Sequence, residues 1–499
     1  MADVIHCTGA SGTGYQYIDK VIGSGKMKDV YFSPNKDYAV AFYKDPPSAP
    51  ALERINMITT RYHEQIFNQI GGKYWNDLFC WPYDVVEHGG RTGIVMPVYD
   101  GKFFFSHGSV NNDMMNIKGQ EKEGKWFASA KLRNRFIEPK ELGDWSTHLR
   151  SSLLIARAVR RMHMAGLAHS DLSYKNVLVD PSTGGACIID IDGLVVPGKY
   201  PPDVVGTPDF IAPEVVATSH LDPADSNRCL PRVETDLHAL AVLIYMYLLY
   251  RHPLKGKKVH CVDDDLMDER LSMGEKALFV EHPTDTSNRI RTDDKHASEL
   301  PWADTGKMPY TLTGPYLSEL FEKAFVHSLH SPADRPTANE WETALVKTVD
   351  LIQPCLNTDC DQKWYVFDNK TKPVCPFCGT PFKGVLPVLN LYSARQPNNF
   401  KPDNHRLMVW SGQSFFSWHA NTSVIPNEKL TDEDARRIGY FQFHNGQWYL
   451  VNERLPEIRD VKSGNIVRPG EHIVLVEGQQ LLLDANRGGR LISVQLVTC

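Results

Sequence analysis

Two groups of residues in this chain have the types and spacing to do chemistry. The first lies in residues 169–193, which read HSDLSYKNVLVDPSTGGACIIDIDG. Asp171 is followed five positions on by Asn176, and an apolar run, Val177, Leu178 and Val179, comes next. A turn through Pro181, Ser182, Thr183, Gly184 and Gly185 leads to a second apolar run from Ala186, which ends on Asp190. Two short strands around a tight turn, with an acid before the hairpin and an acid after it, make a compact metal–phosphate site. The second group is Cys355-x4-Cys360-x14-Cys375-Pro-Phe-Cys378. Two cysteine pairs separated by a hairpin-like segment fit a tetrahedral Zn2+ ribbon, and four thiolates close the shell, so that zinc is structural.

These groups need elements to hold them. At 499 residues the chain exceeds one core, so two to four domains are expected. Apolar residues at 42% and charged residues at 23% suit a soluble globular protein. A net charge of −6 offers no bulk attraction for nucleic acid or acidic membranes. No apolar run approaches the roughly 18 residues of a membrane span, and the N-terminal stretch lacks the pattern of a secretory signal. The remaining cysteines, Cys7, Cys80, Cys187, Cys229, Cys261 and Cys499, stand singly, which suits a reducing cytoplasm better than a disulfide framework.

Strands are expected at 18–21, 30–32 and 38–43, with a glycine turn at 23–25 and a second turn at 33–37. Apolar spacing predicts a helix over 50–70, strands at 80–86 and 92–98, and a long helix over 147–165. The polar stretch 105–145 reads as a partly ordered insertion. Residues 255–310 are charged and irregular and receive no role. The C-terminal part carries strands at 406–410, 439–443, 448–451, 473–476, 480–484 and 491–497, an all-β pattern.

With these elements in place, residues 169–193 resemble the catalytic and metal-binding loops of protein kinases, HRD-x4-N and DFG. Further kinase-like motifs follow in the same order: Gly206-Thr-Pro-Asp-Phe-Ile-Ala-Pro-Glu214, Thr235-Asp-Leu-His-Ala-Leu240, and Ser331-Pro-Ala-Asp-Arg-Pro-Thr337. The resemblance covers residues 15–350. It implies an α+β, bilobal kinase-like fold, with an N-lobe over 1–98 and a C-lobe over 99–350. It further implies transfer of the ATP γ-phosphoryl to a protein Ser or Thr hydroxyl. By that resemblance Asp171 orients the attacking hydroxyl and accepts its proton, while Asn176 and Asp190 hold Mg2+. Gly23, Gly25, Val30, Ala39 and Lys175 belong to the nucleotide site, and Met96 and Val98 fall at the gatekeeper and hinge. Glu64, with Glu53 as the other candidate, is the helix carboxylate that pairs with a strand lysine. Asp236 braces the catalytic loop, Arg335 pairs with Glu214, and His163 is structural.

The pattern is broken at several positions. Alternation along residues 39–44 places Ala41, rather than Lys44, in the strand-lysine slot, because Ala39 then supplies the small residue over adenine. That suggests an inactivated Lys→Ala form, a natural kinase lacking this lysine, or an ATP-binding pseudokinase scaffold. Lys28 stands where the third loop glycine would be. Ser170 and Ser173 replace two further basic residues, so the site reads as depleted of phosphate-neutralising charge. Asp190-Ile-Asp192-Gly193 replaces DFG and leaves either acid as the metal ligand, with Asp190 preferred.

Beyond the kinase-like part, a zinc ribbon is expected over 351–385. Residues 386–499 resemble a forkhead-associated (FHA) domain, a phosphothreonine-binding sandwich, although its S-x-x-H stretch is not recognisable. Arg436, Arg437 and Arg454 are candidate anion contacts there, weighed against ordinary surface arginines. Together the parts resemble the bacterial serine/threonine kinase of a phosphorylation cassette linked to tellurite and stress resistance. The partners this implies are a von Willebrand factor A protein and a PP2C-type phosphatase, with a cytoplasmic location and no nucleic acid or membrane.

Overall fold

Tyr38–Tyr43 reads YAVAFY, and its aromatic and β-branched side chains suit a strand buried on both faces. In the computed structural model of the chain, which describes residues 3–69, 71–196, 199, 206–222, 225–368, 370 and 372–498, this strand organises the first sheet. The strands are β1 (Val4–Gly9), β2 (Gly14–Ile18), β3 (Gly23–Ser24), β4 (Lys28–Phe32), β5 (Tyr38–Tyr43), β6 (Asp84–His88) and β7 (Arg91–Pro97). Their order is β2-β1-β6-β7-β5-β4-β3, and every pairing is antiparallel.

Alternation sorts β5 between two cores. Val40 and Phe42 pack with Tyr17, Tyr31, Val86 and Val95. Ala41 and Tyr43 pack on the other face with Ile55, Val85 and Ile94. Helix α1 (Ala49–Met57) supplies Ile55, and Ser48 caps it by accepting the Ala51 N–H at 3.4 Å. The helix expected over 50–70 is one rod with a fault. A π-helical turn, Ile58–Tyr62, separates α1 from α2 (His63–Phe67). Thr59 and Thr60 hydroxyls donate there to the Ile55 and Asn56 carbonyls, competing with the backbone ladder.

Several boundaries differ from expectation. The strand expected at 18–21 lies at 14–18 and pairs with β1, which the sequence did not suggest. Gly23–Ser24 is not a turn but pairs with Val30 and Asp29, and Gly25 N–H bonds to Lys28 O at 2.9 Å. The hairpin tip is therefore residues 25–27, and β4 begins at Lys28. Residues 105–145 are built into the fold: Phe105, Ile117 and Phe127 are buried. Buried Lys122 pairs with Glu141 at 3.0 Å and Asp180 at 3.6 Å.

The sheet is followed by α3 (Trp145–Met164), the hairpin of β8 (Val177–Asp180) and β9 (Gly185–Ile188), α4 (Pro213–Thr218) and α5 (Val233–Leu249). Residues 235–249 of α5 are all buried, as a helix that is apolar all round must be. By chain contacts the protein divides into two units. The first holds 1–143, 147–310 and 319–342; the second holds 144–146, 311–318 and 343–499.

The second unit contains a short hairpin, β10 (Ile352–Pro354) with β11 (Trp364–Val366), and two antiparallel sheets. One sheet runs through β12 (Val385–Gln396), β13 (Asn399–Met408), β17 (Ile458–Asp460), β18 (Ile466–Val467), β20 (Gln480–Leu482) and β21 (Arg490–Thr498). The other runs through β14 (Ser414–Phe416), β15 (Arg437–His444), β16 (Gln447–Asn452) and β19 (His472–Val474). The six expected strands are present with shifted ends, and β12, β14, β17 and β18 are additional. Among the described residues, no helix is long and apolar enough to cross a membrane.

Candidate active site

Asp236, on the first turn of α5, fixes the start of the 169–193 stretch. It is buried and accepts the main-chain N–H groups of His169 at 2.7 Å and Ser170 at 3.2 Å. His163 Nε2 lies 3.1 Å from the same carboxylate, so His163 supports the loop and takes no place in the pocket. Ser170 has φ of +63°, a conformation uncommon for a residue with a Cβ. The tethered turn sets Asp171 beside Asn176. The Asn176 side-chain amide donates to the Asp171 carbonyl at 2.8 Å and to Asp171 Oδ2 at 3.0 Å. Thr207 Oγ1 lies 2.8 Å from Asp171 Oδ1 and 3.2 Å from Ser173 Oγ, so both Asp171 oxygens are oriented.

Asp190 ends the β8–β9 hairpin, also with a positive φ, +61°. His169 Nε2 lies 3.0 Å from the Ile189 carbonyl oxygen and ties the two acid-bearing segments together. The Asp190 side chain is 51% exposed, whereas that of Asp192 is 8% exposed.

The expected depletion of positive charge is not what the structure contains. Lys28 Nζ donates to Asp190 Oδ1 at 3.0 Å and to Asp192 Oδ1 and Oδ2 at 2.6 and 2.8 Å. Tyr43 Oη donates to Asp192 Oδ2. Strand register explains the arrangement. Lys28 is opposite Tyr43 and Val30 is opposite Ala41, so all four share one sheet face. The ammonium thus reaches the acids from the strand beside the one where it was sought. Burial opposes the charge on Lys28, but the adjoining Asp192 and Asp190 outweigh it and raise its pKa above the ordinary lysine value. Burial likewise opposes ionisation of Asp192, and Lys28 with the Tyr43 hydroxyl holds that carboxyl below its usual range. Burial, then Asp192, pushes the Tyr43 phenol up.

A pocket of about 220 Å³ opens here, lined by Lys28, Tyr43, Arg54, Asp171, Asp190 and Asp192 among others. The helix carboxylates are not in it. Glu64 is exposed on α2, and Glu53 is exposed and lies 3.7 Å from Lys199. The buried stripe of this rod runs Ala51, Ile55, Ile58, Tyr62 and Ile66. Glu64 falls between the last two and so faces away, whereas Arg54 shares the stripe and is 3% exposed. Helical spacing alone carried that signal. Lys44 stays with the hairpin tip, donating to Ser24 Oγ and Gly25 O at 2.9 and 2.8 Å.

The other expected nucleotide-site residues fall as follows. Gly23 and Gly25 are exposed along β3 and its tip, Val30 is half-buried, and Ala39 is buried opposite Met96. Val98 follows β7 directly. Met96 also packs on a cluster of Cys80, Phe103, Leu178 and Cys187. Ser173 is fully buried, and Lys175 is exposed. Ala41 is fully buried among Tyr43, Ile55, Val85 and Ile94. A lysine there would place a charge in that core beside Lys28. Ala41→Lys is therefore expected to lower unfolding stability by about 3 kcal/mol without raising turnover, read by denaturant titration.

Away from the pocket, Arg335 donates to both Glu214 oxygens at 2.8 and 2.7 Å, the ion pair expected from the motifs. In the second unit, Cys355 and Cys360 flank the β10–β11 turn, and Cys375 and Cys378 sit inside the bridge between Val374 and Pro381. Their four Sγ atoms lie within 4.8 Å of one another, with Cys355–Cys378 at 3.5 Å and Cys360–Cys375 at 3.9 Å. A tetrahedron with Zn–S of about 2.3 Å needs S–S edges of about 3.8 Å, so the cluster fits zinc. The candidate anion contacts of the C-terminal region are paired instead: Arg437 with Glu453 at 2.8 Å, and Arg436 and Arg454 with Glu433.

Among known proteins, the chain is similar to several protein kinases. The chain is 37% identical over 106 residues to death-associated protein kinase dapk-1 of Caenorhabditis elegans, covering 20% of this chain and 7% of that one. It is 27% identical over 164 residues to serine/threonine-protein kinase PknD of Chlamydia abortus, covering 27% and 16%. It is 23% identical over 253 residues to a cAMP-dependent protein kinase catalytic subunit-like protein of Caenorhabditis briggsae, covering 44% and 63%. The chain thus spans from 7% to 63% of the length of these relatives. Residues 126–364 match the family model of the protein kinase domain, and the match begins after the sheet that carries Lys28 and Ala41. Asp171, Asn176 and Asp190 all lie inside the region that matches the protein kinase domain.

Proposed function

We propose that the chain is an ATP-dependent protein serine/threonine kinase in which Lys28 does the work of the missing third-strand lysine. The observation that carries this reading is the Lys28 ammonium held against Asp190 and Asp192, all three lining the pocket. Asp171, with both oxygens oriented, accepts the proton of the attacking Ser or Thr hydroxyl. The exposed Asp190 carboxylate and the Asn176 amide oxygen are hard donors suited to Mg2+, which supplies charge neutralisation between the phosphates. Asp192, already engaged by Lys28 and Tyr43, is the less available ligand. Ala39 and Met96 border the adenine, whose edge meets the backbone near Val98. Ala41 is then a native core residue, not the mark of an inactivated chain.

The test is incubation of the full chain with γ-labelled ATP, Mg2+ and a generic basic protein substrate, alongside calorimetric ATP binding. Label on Ser or Thr supports the kinase reading. ATP binding without transfer supports the scaffold instead.

In the second unit, Cys355, Cys360, Cys375 and Cys378 form a structural zinc ribbon. These four thiols are expected to resist alkylation until a strong chelator removes one zinc per chain, read by mass spectrometry. Equal labelling with and without chelator would remove the zinc assignment. The two C-terminal sheets form an FHA-like sandwich. With its arginines paired to glutamates, it serves protein contact ahead of phosphothreonine capture. The kinase–ribbon–sandwich order supports placement in the tellurite-associated cassette, in the cytoplasm, with a von Willebrand factor A protein and a PP2C-type phosphatase as partners.

A further inference from the structure

We infer that Asp192 is the positioning residue for the Lys28 ammonium and that Tyr43 braces it, so the cation is anchored by the loop after β9 and not by a helix carboxylate. This rests on Lys28 being the phosphate-binding cation.

An ammonium carries three N–H donors and no acceptor. Two of the Lys28 contacts go to the Asp192 oxygens, at 2.6 and 2.8 Å, and the third goes to Asp190 at 3.0 Å. The two acids differ in what else they can do. Asp192 is buried, and Tyr43 occupies one of its oxygens from the opposing strand position. Asp190 is half-exposed and touches Lys28 through one oxygen. A cation taken by Asp190 would release one Lys28 N–H toward the phosphates while Asp192 keeps its grip. The ammonium then stays fixed in direction by a charge-assisted pair, with one donor free.

The helix offers no substitute. Glu64 and Glu53 are exposed, and the polar residue on the buried face of α1 is Arg54, which also lines the pocket. A guanidinium cannot anchor an ammonium. Placing the lysine on β4 and its carboxylate at position 192 therefore forms one unit, in which displacement of α1 does not unhook Lys28.

The test compares affinities of the full chain for ATP with Mg2+ and for adenosine, which lacks the phosphates. Asp192→Asn is nearly isosteric and is expected to weaken ATP about ten-fold or more while adenosine stays unchanged. Asp192→Glu recovers part of the loss, and Tyr43→Phe gives a smaller loss of the same kind. Glu64→Gln and Glu53→Gln leave ATP affinity as it is. Unchanged or tighter ATP binding by Asp192→Asn, or a loss in Glu64→Gln, overturns the anchor while Lys28→Met still loses ATP. If Lys28→Met itself binds ATP normally, the reading of Lys28 falls and the anchor falls with it. A parallel loss of adenosine affinity in Asp192→Asn also overturns it, since that marks a merely structural residue.

Discussion

Asp171→Asn is expected to lower phosphoryl transfer by about 10³-fold while ATP affinity stays within a factor of about two. The size follows from what the substitution removes. Asparagine keeps the shape and a side-chain oxygen near Asn176 and Thr207, but it cannot accept the hydroxyl proton as the bond to phosphorus forms. Both oxygens of Asp171 are held, one by the Asn176 amide at 3.0 Å and one beside Thr207 at 2.8 Å, so its basic lone pairs are aimed and not averaged. Among the described residues the hydrogen bonds of Lys28 go to Asp190 and Asp192 and not to Asp171, so the proposed phosphate cation is expected to stay in place. Quench-flow measurement with labelled ATP separates the steps. A loss shared equally by binding and transfer would place Asp171 in nucleotide binding.

Asp236→Ala is expected to cost about 3 kcal/mol or more of stability and to slacken the catalytic loop as well. The carboxylate is 2% exposed and serves the His169 and Ser170 N–H groups and His163 together. Its removal leaves the His169 and Ser170 N–H groups without their acceptor. It also removes the support that holds Ser170 at a positive φ, the turn on which Asp171 depends. Thermal unfolding of the full chain gives the first quantity. Hydrogen exchange at residues 168–176 gives the second, with faster exchange expected there than in α5. An unchanged melting temperature would mean that solvent reaches this carboxylate.

The arrangement of residues 169–193 was legible because it is local. Asp171, Asn176 and Asp190 are ordered by one loop and one hairpin, and apolar runs with a Pro-Gly turn specify that hairpin without help from the rest of the chain. Asp236 and the Glu214–Arg335 pair were legible as members of ordered motifs. Lys28 was not, because its role depends on the register between two strands. A turn at Gly23–Gly25 would leave Lys28 in a loop; the actual tip at 25–27 puts it opposite Tyr43 and in reach of Asp192. One misplaced turn was enough to make a site with a buried ammonium look short of charge.

Glu64 was a different kind of error. The apolar stripe from Ala51 to Ile66 already turns it to solvent and turns Arg54 inward, so helical phase outweighed the expectation of a glutamate. In the second unit, Pro387 within β12 weakens its strand signal, yet the strand is paired on both sides, with β13 and β21. The cysteine spacing, by contrast, fixed the cluster from sequence, since two tight pairs leave few geometries other than a tetrahedron.

The central claim is that the cation absent at position 41 is present at position 28. It is tested most directly by measuring ATP affinity and γ-phosphoryl transfer for the native chain, Lys28→Met and Lys44→Met side by side. Lys28→Met is expected to lose about 10²-fold or more in transfer with weakened ATP binding, while Lys44→Met stays near the native level. Full activity in Lys28→Met, or a loss confined to Lys44→Met, would contradict the account.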